Sequence, residues 1–292
     1  MFSLRSWPVV DPSSLSLLDG ITASQVRHDV FASVYPHWWE GDRVFGGFVV
    51  AQALSAALGT VEHPEDLHSI HGYFLRPARP GDESEITVER IRDGRSFSTR
   101  RTSTMVRGKE TFVMMASFHA PEDGEDYQLS VAEVPPPQEC GAWREDDGPF
   151  EVLELGPSDQ AADGTYASTR RAWMRCMVDL GDDPRRHLAV AGYASDMTRA
   201  AYRPSSLGSW GEHVDASLDH SVWFHGVPNM NEWHLFDLHT VLTGAGRSFM
   251  RGQLSDVHGS LVFSMAQEIL IRRIEGATAI DFGDPQHQTS SP

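Results

Sequence analysis

The second half of this chain repeats the design of the first, with polar residues at positions where the first half is apolar. Arg95-Ser96-Phe97, followed by Gly108, Phe112, Met114 and Ala116, returns as Arg247-Ser248-Phe249, followed by Gly259, Phe263, Met265 and Gln267. Both runs have a strand–turn–strand rhythm, and their Arg-to-Gly spacing differs by one residue. A duplication on this scale restricts the fold to two similar lobes, and 292 residues are enough to give each lobe a core. A site present once on a repeated frame is expected where the copies differ.

The pattern along each half agrees. Gly46-Gly47 opens FVVAQALSAALGTV, whose length favours a buried helix over a strand. LHSIHGYFLRP, ESEITVERI, SFSTRRTSTMV and ETFVMMASFHA follow, separated by Pro-Gly, Asp-Gly and Arg-Gly turns, and read as an antiparallel meander. In the second half TRRAWMRCMVDL reads as a strand. Asp182-Asp183-Pro184 starts a helix, RRHLAVAGYASDMTRAAY, which is expected to stop before Pro204. SLDHSVWFH, NEWHLFDLHTVL, RSFMRGQLSD and SLVFSMAQEILIRR complete the set. The predicted class is α+β: two tandem lobes, each a long central helix wrapped by an antiparallel sheet. Residues 1–22 form a lead-in, 23–120 the N-terminal lobe, 121–165 a linker, 166–275 the C-terminal lobe and 276–292 a loose tail.

The net charge of −17 is concentrated in the linker. Between Pro121 and Thr165 there are 13 acids and one base, a net of −12, which leaves −5 for the rest. Nucleic-acid binding, which needs a basic face, is not expected. Arg76, Arg79, Arg92, Arg95, Arg100, Arg101 and Arg107 all fall in the first lobe, which leaves room for an anionic small molecule, although they read more simply as solvated strand faces. No window approaches the roughly 18 apolar residues of a membrane span, and the N-terminus is a poor secretion signal. Cys140 and Cys176 make no disulfide framework, so a reducing cytoplasm is expected.

Three polar residues stand out. In SLVFSMAQEILIRR, one strand face holds Leu261, Phe263, Met265, Gln267, Ile269 and Ile271. Gln267 is thus a buried amide among large side chains, and its counterpart is Ala116. Aligning Phe224 with Phe74 places Ser217 opposite Leu67, again polar for apolar. Asp196 lies among small residues in AGYASDM, inside the predicted helix, where aspartate is a poor helix former. Each also has a structural reading: a backbone-satisfied amide, a strand hydroxyl, and a surface partner for Arg199. A carboxylate, a hydroxyl and an amide that converge can hold and polarise one water, which suits hydrolysis of an activated acyl group such as a thioester. Other chemistries lack their motifs. Gly-x-Ser-x-Gly and a phosphate loop are absent. The pairs His68/His71, His220/His225 and His234/His239 are spaced oddly on strands, so each points to opposite faces, and no metal is expected.

VFGGFVVAQAL, LHSIHGYFLRP, RDGRSFSTRR and MMASFHAPE in the first half, and GYASD, LDHSVWFH, NEWHLFD, RSFMRGQ and SMAQE in the second, resemble the acyl-CoA thioesterase II family over roughly residues 20–275. The resemblance implies a double hot dog fold. It also implies hydrolysis of acyl-CoA to free fatty acid and CoA without metal, cofactor or covalent intermediate, and a homo-oligomer. The family's catalytic Asp, Thr/Ser and Gln fall on Asp196, Ser217 and Gln267. Two positions depart from the family pattern: serine in place of the threonine of several relatives, and Phe48 in place of a glutamine after the two glycines. Phe48 is expected to reshape the acyl tunnel. Two other functions fit the same frame: a hydratase or dehydratase, whose hot dog enzymes place a His five residues after the Asp, where this chain has Ala201, and a non-catalytic acyl-CoA-binding protein.

Overall fold

The computed structural model describes residues 16–37, 42–140, 144–145, 149–155, 169–198 and 213–273. The lead-in before residue 16 and the tail after residue 273 lie outside the described residues. The last residues of the lead-in fold into a short helix, α1 (Leu17–Ile21), closed by a capping box between Ser16 and Asp19. Strands β1 (Ser24–Arg27) and β2 (Val30–Val34) form a hairpin through Asp29, whose φ of 54° is in the left-handed region. Helix α2 (Gly46–Leu58) follows, then β3 (Leu67–Phe74), β4 (Glu83–Asp93), β5 (Phe97–Val106) and β6 (Lys109–His119). The second half contains β7 (Arg144–Glu145), β8 (Phe150–Glu154), β9 (Thr169–Cys176), α3 (Pro184–Ser195), β10 (His213–Ser217), β11 (Asp219–Phe224), β12 (His234–Gly244), β13 (Arg247–Asp256) and β14 (Leu261–Arg273).

All the strands among the described residues join one antiparallel sheet in the order β1-β2-β4-β5-β6-β3-β11-β14-β13-β12-β9-β8-β7, with β10 also on β14. The duplication is visible in this order. Read inward from the left, β2-β4-β5-β6-β3 matches β9-β12-β13-β14-β11 read inward from the right. The two runs meet where β3 pairs with β11, with His71 opposite Ser221. The registers repeat too. His71 faces Met115 and Ser221 faces Ala266, which makes Gln267 the positional equivalent of Ala116.

α2 and α3 pack together against this sheet. Nearly every side chain of α2 is buried, so its helicity rests on packing and on its alanines rather than on an amphipathic stripe. Close approach of the helices uses Gly192, where a Cβ would come 3.0 Å from Leu54 Cδ2. α3 starts as its sequence predicts, with Pro184 in the first turn and the Asp183 side chain accepting from the Arg185 N–H.

Two sequence expectations are corrected, and the linker gains detail. α3 ends at Ser195, not before Pro204, and Asp196 is its C-cap rather than an interior residue. Its carboxylate bonds outside the helix, a competition for which aspartate is suited. Residues 199–212, with Arg199 and Ala201, lie outside the described residues. The linker contributes a sheet strand: Phe150, Val152 and Leu153 of β8 are buried as it pairs with β9. Arg100 is not solvated but 2 % exposed, donating to Thr60, to the backbone carbonyls of Arg92 and Thr99, and to Asp93.

Candidate active site

The three residues chosen from the sequence meet at one point. Gln267, on the interior face of β14, is fully buried. Its Nε2 donates to Asp196 Oδ1 at 2.6 Å and to Ser217 Oγ at 2.9 Å. The carboxylate, which only accepts, sets the amide the right way round, and the Thr198 hydroxyl donates to Gln267 Oε1 at 3.0 Å, with the Asp196 carbonyl a longer second acceptor at 3.3 Å. Both amide hydrogens and the oxygen are therefore engaged, which removes the cost of burying an unpaired amide. Ser217 accepts from Gln267 through an oxygen lone pair, which leaves its own hydrogen free to donate elsewhere.

Asp196 is 3 % exposed. Burial pushes its carboxyl up to about 7, against the Gln267 amide and the backbone N–H of Gly47, which both favour the anion. The carboxylate thus lies between two helix ends. Asp196 closes the C-terminus of α3 with its backbone N–H, while its carboxylate faces the N-terminus of α2, whose partial positive charge attracts anions. Gly46 makes the approach possible: any Cβ there would collide with Asp196 Oδ2. A Cβ on Gly47 would come 2.6 Å from the Tyr193 carbonyl oxygen. The glycine pair read from the sequence only as a helix start is part of the site.

Two further groups were missed. Thr198, in the segment after α3, has no periodic signal to mark it. His220 was weighed only as one of a badly spaced metal pair. It is fully buried, 2.7 Å from Ser195 Oγ through Nε2, with Nδ1 4.0 Å from Asp196 Oδ1. For this pair the spacing argument holds, because His225 points the other way, to Ser264 on the outer face; for His68 and His71 it does not, because an extra residue in β3 turns both outward, to Ser117 and Ser221. Phe48 is buried edge-on against Tyr193, at 4.9 Å between centroids, in a cluster with Phe45.

Similar proteins place this chain in a family. Residues 35–119 match the family model described as acyl-CoA thioesterase N-terminal domain, and residues 147–270 match the one described as acyl-CoA thioesterase. A solved structure, the acyl-CoA thioesterase II of Mycobacterium marinum, is 31 % identical with a TM-score of 0.78, over 89 % of this chain and 100 % of that one. The chain belongs to the acyl-CoA thioesterase II family. Acyl-coenzyme A thioesterase 8 of Mus musculus is 30 % identical over 81 % of this chain and 83 % of its own. The fold is also that of a hot dog protein from Alicyclobacillus acidocaldarius, with a TM-score of 0.73 at 17 % identity over 88 % and 98 % of the two chains. Members of this family are thioester hydrolases, and the chain is an enzyme of that class. Among the described residues no helix is long and apolar enough to cross a membrane.

Proposed function

We propose that this enzyme hydrolyses acyl-CoA thioesters to free fatty acid and CoA, with a water activated by Asp196 and oriented through Ser217 and Gln267, at one site on a double hot dog frame. The observation that carries this reading is the closed hydrogen-bond set on Gln267, which ties a buried carboxylate to a hydroxyl supplied by a different strand. The lobes are residues 23–120 and 166–275, with an acidic connector between them. Cytoplasmic residence and assembly into homo-oligomers are part of the same proposal.

The roles follow from the bonding. With both of its hydrogens in use, Gln267 does not hold the water itself. It fixes the carboxylate and the hydroxyl relative to each other, the entropic part of the task. Asp196, poised near neutrality by burial, removes a proton from the water as general base. The water oxygen bonds to the thioester carbonyl carbon. The C–S bond then breaks, and the proton held by Asp196 passes to the departing CoA sulfur. The products are the carboxylic acid and the thiol, with the enzyme unchanged. No group beyond these side chains is needed to balance the reaction.

The test is release of free thiol from decanoyl-CoA by Asp196→Asn. Asparagine keeps the shape and cannot accept the proton. Turnover is expected to fall by about 10³-fold or more with folding intact, and a rate near that of the unaltered enzyme contradicts the mechanism. Crotonyl-CoA, offered in parallel, is expected to release thiol without being hydrated.

A further inference from the structure

The asymmetry that singles out Ser217 and Gln267 extends to one more interior position. β3 carries an extra residue against β6 between Leu67 and Ser69. The β10–β11 strand carries one against β14: Ser217 to Ser221 is four steps, while their partners Ile269 to Ala266 are three. An extra residue of this kind re-aims the side chains that follow it. In β3 it leaves both Leu67 and Ile70 buried. In the second half it turns both Ser217 and His220 inward, so a histidine stands where the first half has Ile70.

The bonds of His220 fix its tautomer. Ser195 Oγ has one hydrogen and two neighbours, the Gly192 carbonyl at 2.8 Å and His220 Nε2 at 2.7 Å. A carbonyl only accepts, so the serine hydrogen goes to Gly192, and the second bond requires Nε2–H to donate to Ser195. Burial keeps the ring neutral, with its pKa pushed down to about 3. Nδ1 therefore carries a bare lone pair. That atom is buried without a hydrogen-bond partner among the described residues and points at Asp196 Oδ1, 4.0 Å away. Two acceptors separated by 4.0 Å are too far apart for a direct bond. A water oxygen about 2.8 Å from each subtends roughly a right angle, close to the angle between its own two hydrogens.

We propose that His220 is a further catalytic residue, whose Nδ1 accepts one hydrogen of the attacking water while Asp196 accepts the other. The proposal rests on the reading of Asp196 as general base. With both hydrogens engaged and the Ser217 hydroxyl donating to one lone pair, the remaining lone pair is left for the thioester carbonyl carbon. His220 takes no proton. The proton leaves to Asp196, the C–O bond forms, the C–S bond breaks, and the CoA sulfur receives the proton. The titratable groups nearest in sequence on the packed strands do not compete for this position. Asp219 accepts from the Glu268 N–H, Glu268 pairs with Arg247, and Asp215 is exposed. α2 faces Asp196 with the backbone of its two opening glycines.

Two substitutions separate the two ring nitrogens. His220→Gln reaches Ser195 but has no acceptor at the Nδ1 place, whereas His220→Asn keeps an amide oxygen near that place and gives up Ser195. In thiol release from decanoyl-CoA, His220→Gln is expected to lose about 100-fold in kcat with KM little changed, and His220→Asn to recover at least about tenfold of it. Equal kcat in the two variants, whether high or low, overturns the proposal. Asp196→Asn is assayed alongside. If it stays active, the general-base reading falls. If it is inactive while His220→Gln is fully active, only the role of His220 falls. Nitrogen-15 histidine NMR on the unaltered chain, with the His220 signal identified by its response to Ser195→Ala, reads the tautomer without any His220 variant. A neutral Nε2–H ring at pH 7 is expected, and a proton on Nδ1 overturns the proposal.

Discussion

Asp196 links stability to pH in a direction opposite to most carboxylates. Its pKa in the folded chain is about 7, above the ordinary 3.8, because burial disfavours the anion. The folded state therefore binds the proton more tightly than the unfolded one. The associated stability is complete below about pH 4 and is lost as pH rises through 7, by about 4 kcal/mol in all. Asp196→Asn removes this slope. The hydrogen bond from Gly47, which asparagine accepts less well, is worth about 1 kcal/mol and offsets only part of the gain. The variant is thus expected to unfold at higher urea than the unaltered chain at pH 8 and at nearly the same urea at pH 5. An unaltered chain that is the more stable at pH 8 contradicts this. Gln267→Leu removes the donor that favours the anion, so the pKa governing kcat/KM is expected to rise above the unaltered value. A profile that stays in place places the titrating group elsewhere. Ser217 and Gln267 were legible because a first copy of each strand exists for comparison. His220 was equally legible by that criterion, through Ile70, but only once the extra residue in the strand was counted. That count depends on pairing with β14, which sequence alone does not display. Asp196 stood out weakly by composition, and the resemblance located it more firmly than its helix propensity did.

At the level of elements, the critical contact is the N-terminus of α2 against the C-terminus of α3. Gly46→Ala sets a methyl against the Asp196 carboxylate, a side chain that can move. It is expected to lower kcat by about tenfold or more with little effect on unfolding. Gly47→Ala sets a methyl 2.6 Å from the Tyr193 carbonyl oxygen, and backbone does not yield in the same way. That variant is expected to lose about 2 kcal/mol of stability as well as activity. Equal unfolding midpoints for the two alanine variants contradict the distinction. The strands of both halves and the start of α3 were readable from periodicity and caps. The end of α3 was not, because the Asp196 carboxylate and the Thr198 hydroxyl bond to Gln267, outside the helix. β8 was hidden for a similar reason: five residues in an acidic, proline-rich stretch become a strand only because β9 offers an edge.

For the whole molecule, duplication explains why one site arises from two similar halves. The frame is shared, with matching strand orders and registers, and the proposed chemistry lies in the few interior positions where polar side chains replace Leu67, Ile70 and Ala116. Homo-oligomers, if they form as proposed, appear in sedimentation equilibrium as species heavier than one 292-residue chain, and a single-chain mass at micromolar concentration contradicts that part of the proposal. The chemistry itself is read most directly by a single turnover in oxygen-18 water, with enzyme in excess over decanoyl-CoA. Direct attack by a water activated by Asp196 predicts that the first molecule of acid carries one solvent oxygen and that the protein carries none. An unlabelled first product, with the solvent oxygen found in the Asp196 carboxylate, would mean that the side chain attacks the thioester itself and would contradict water activation.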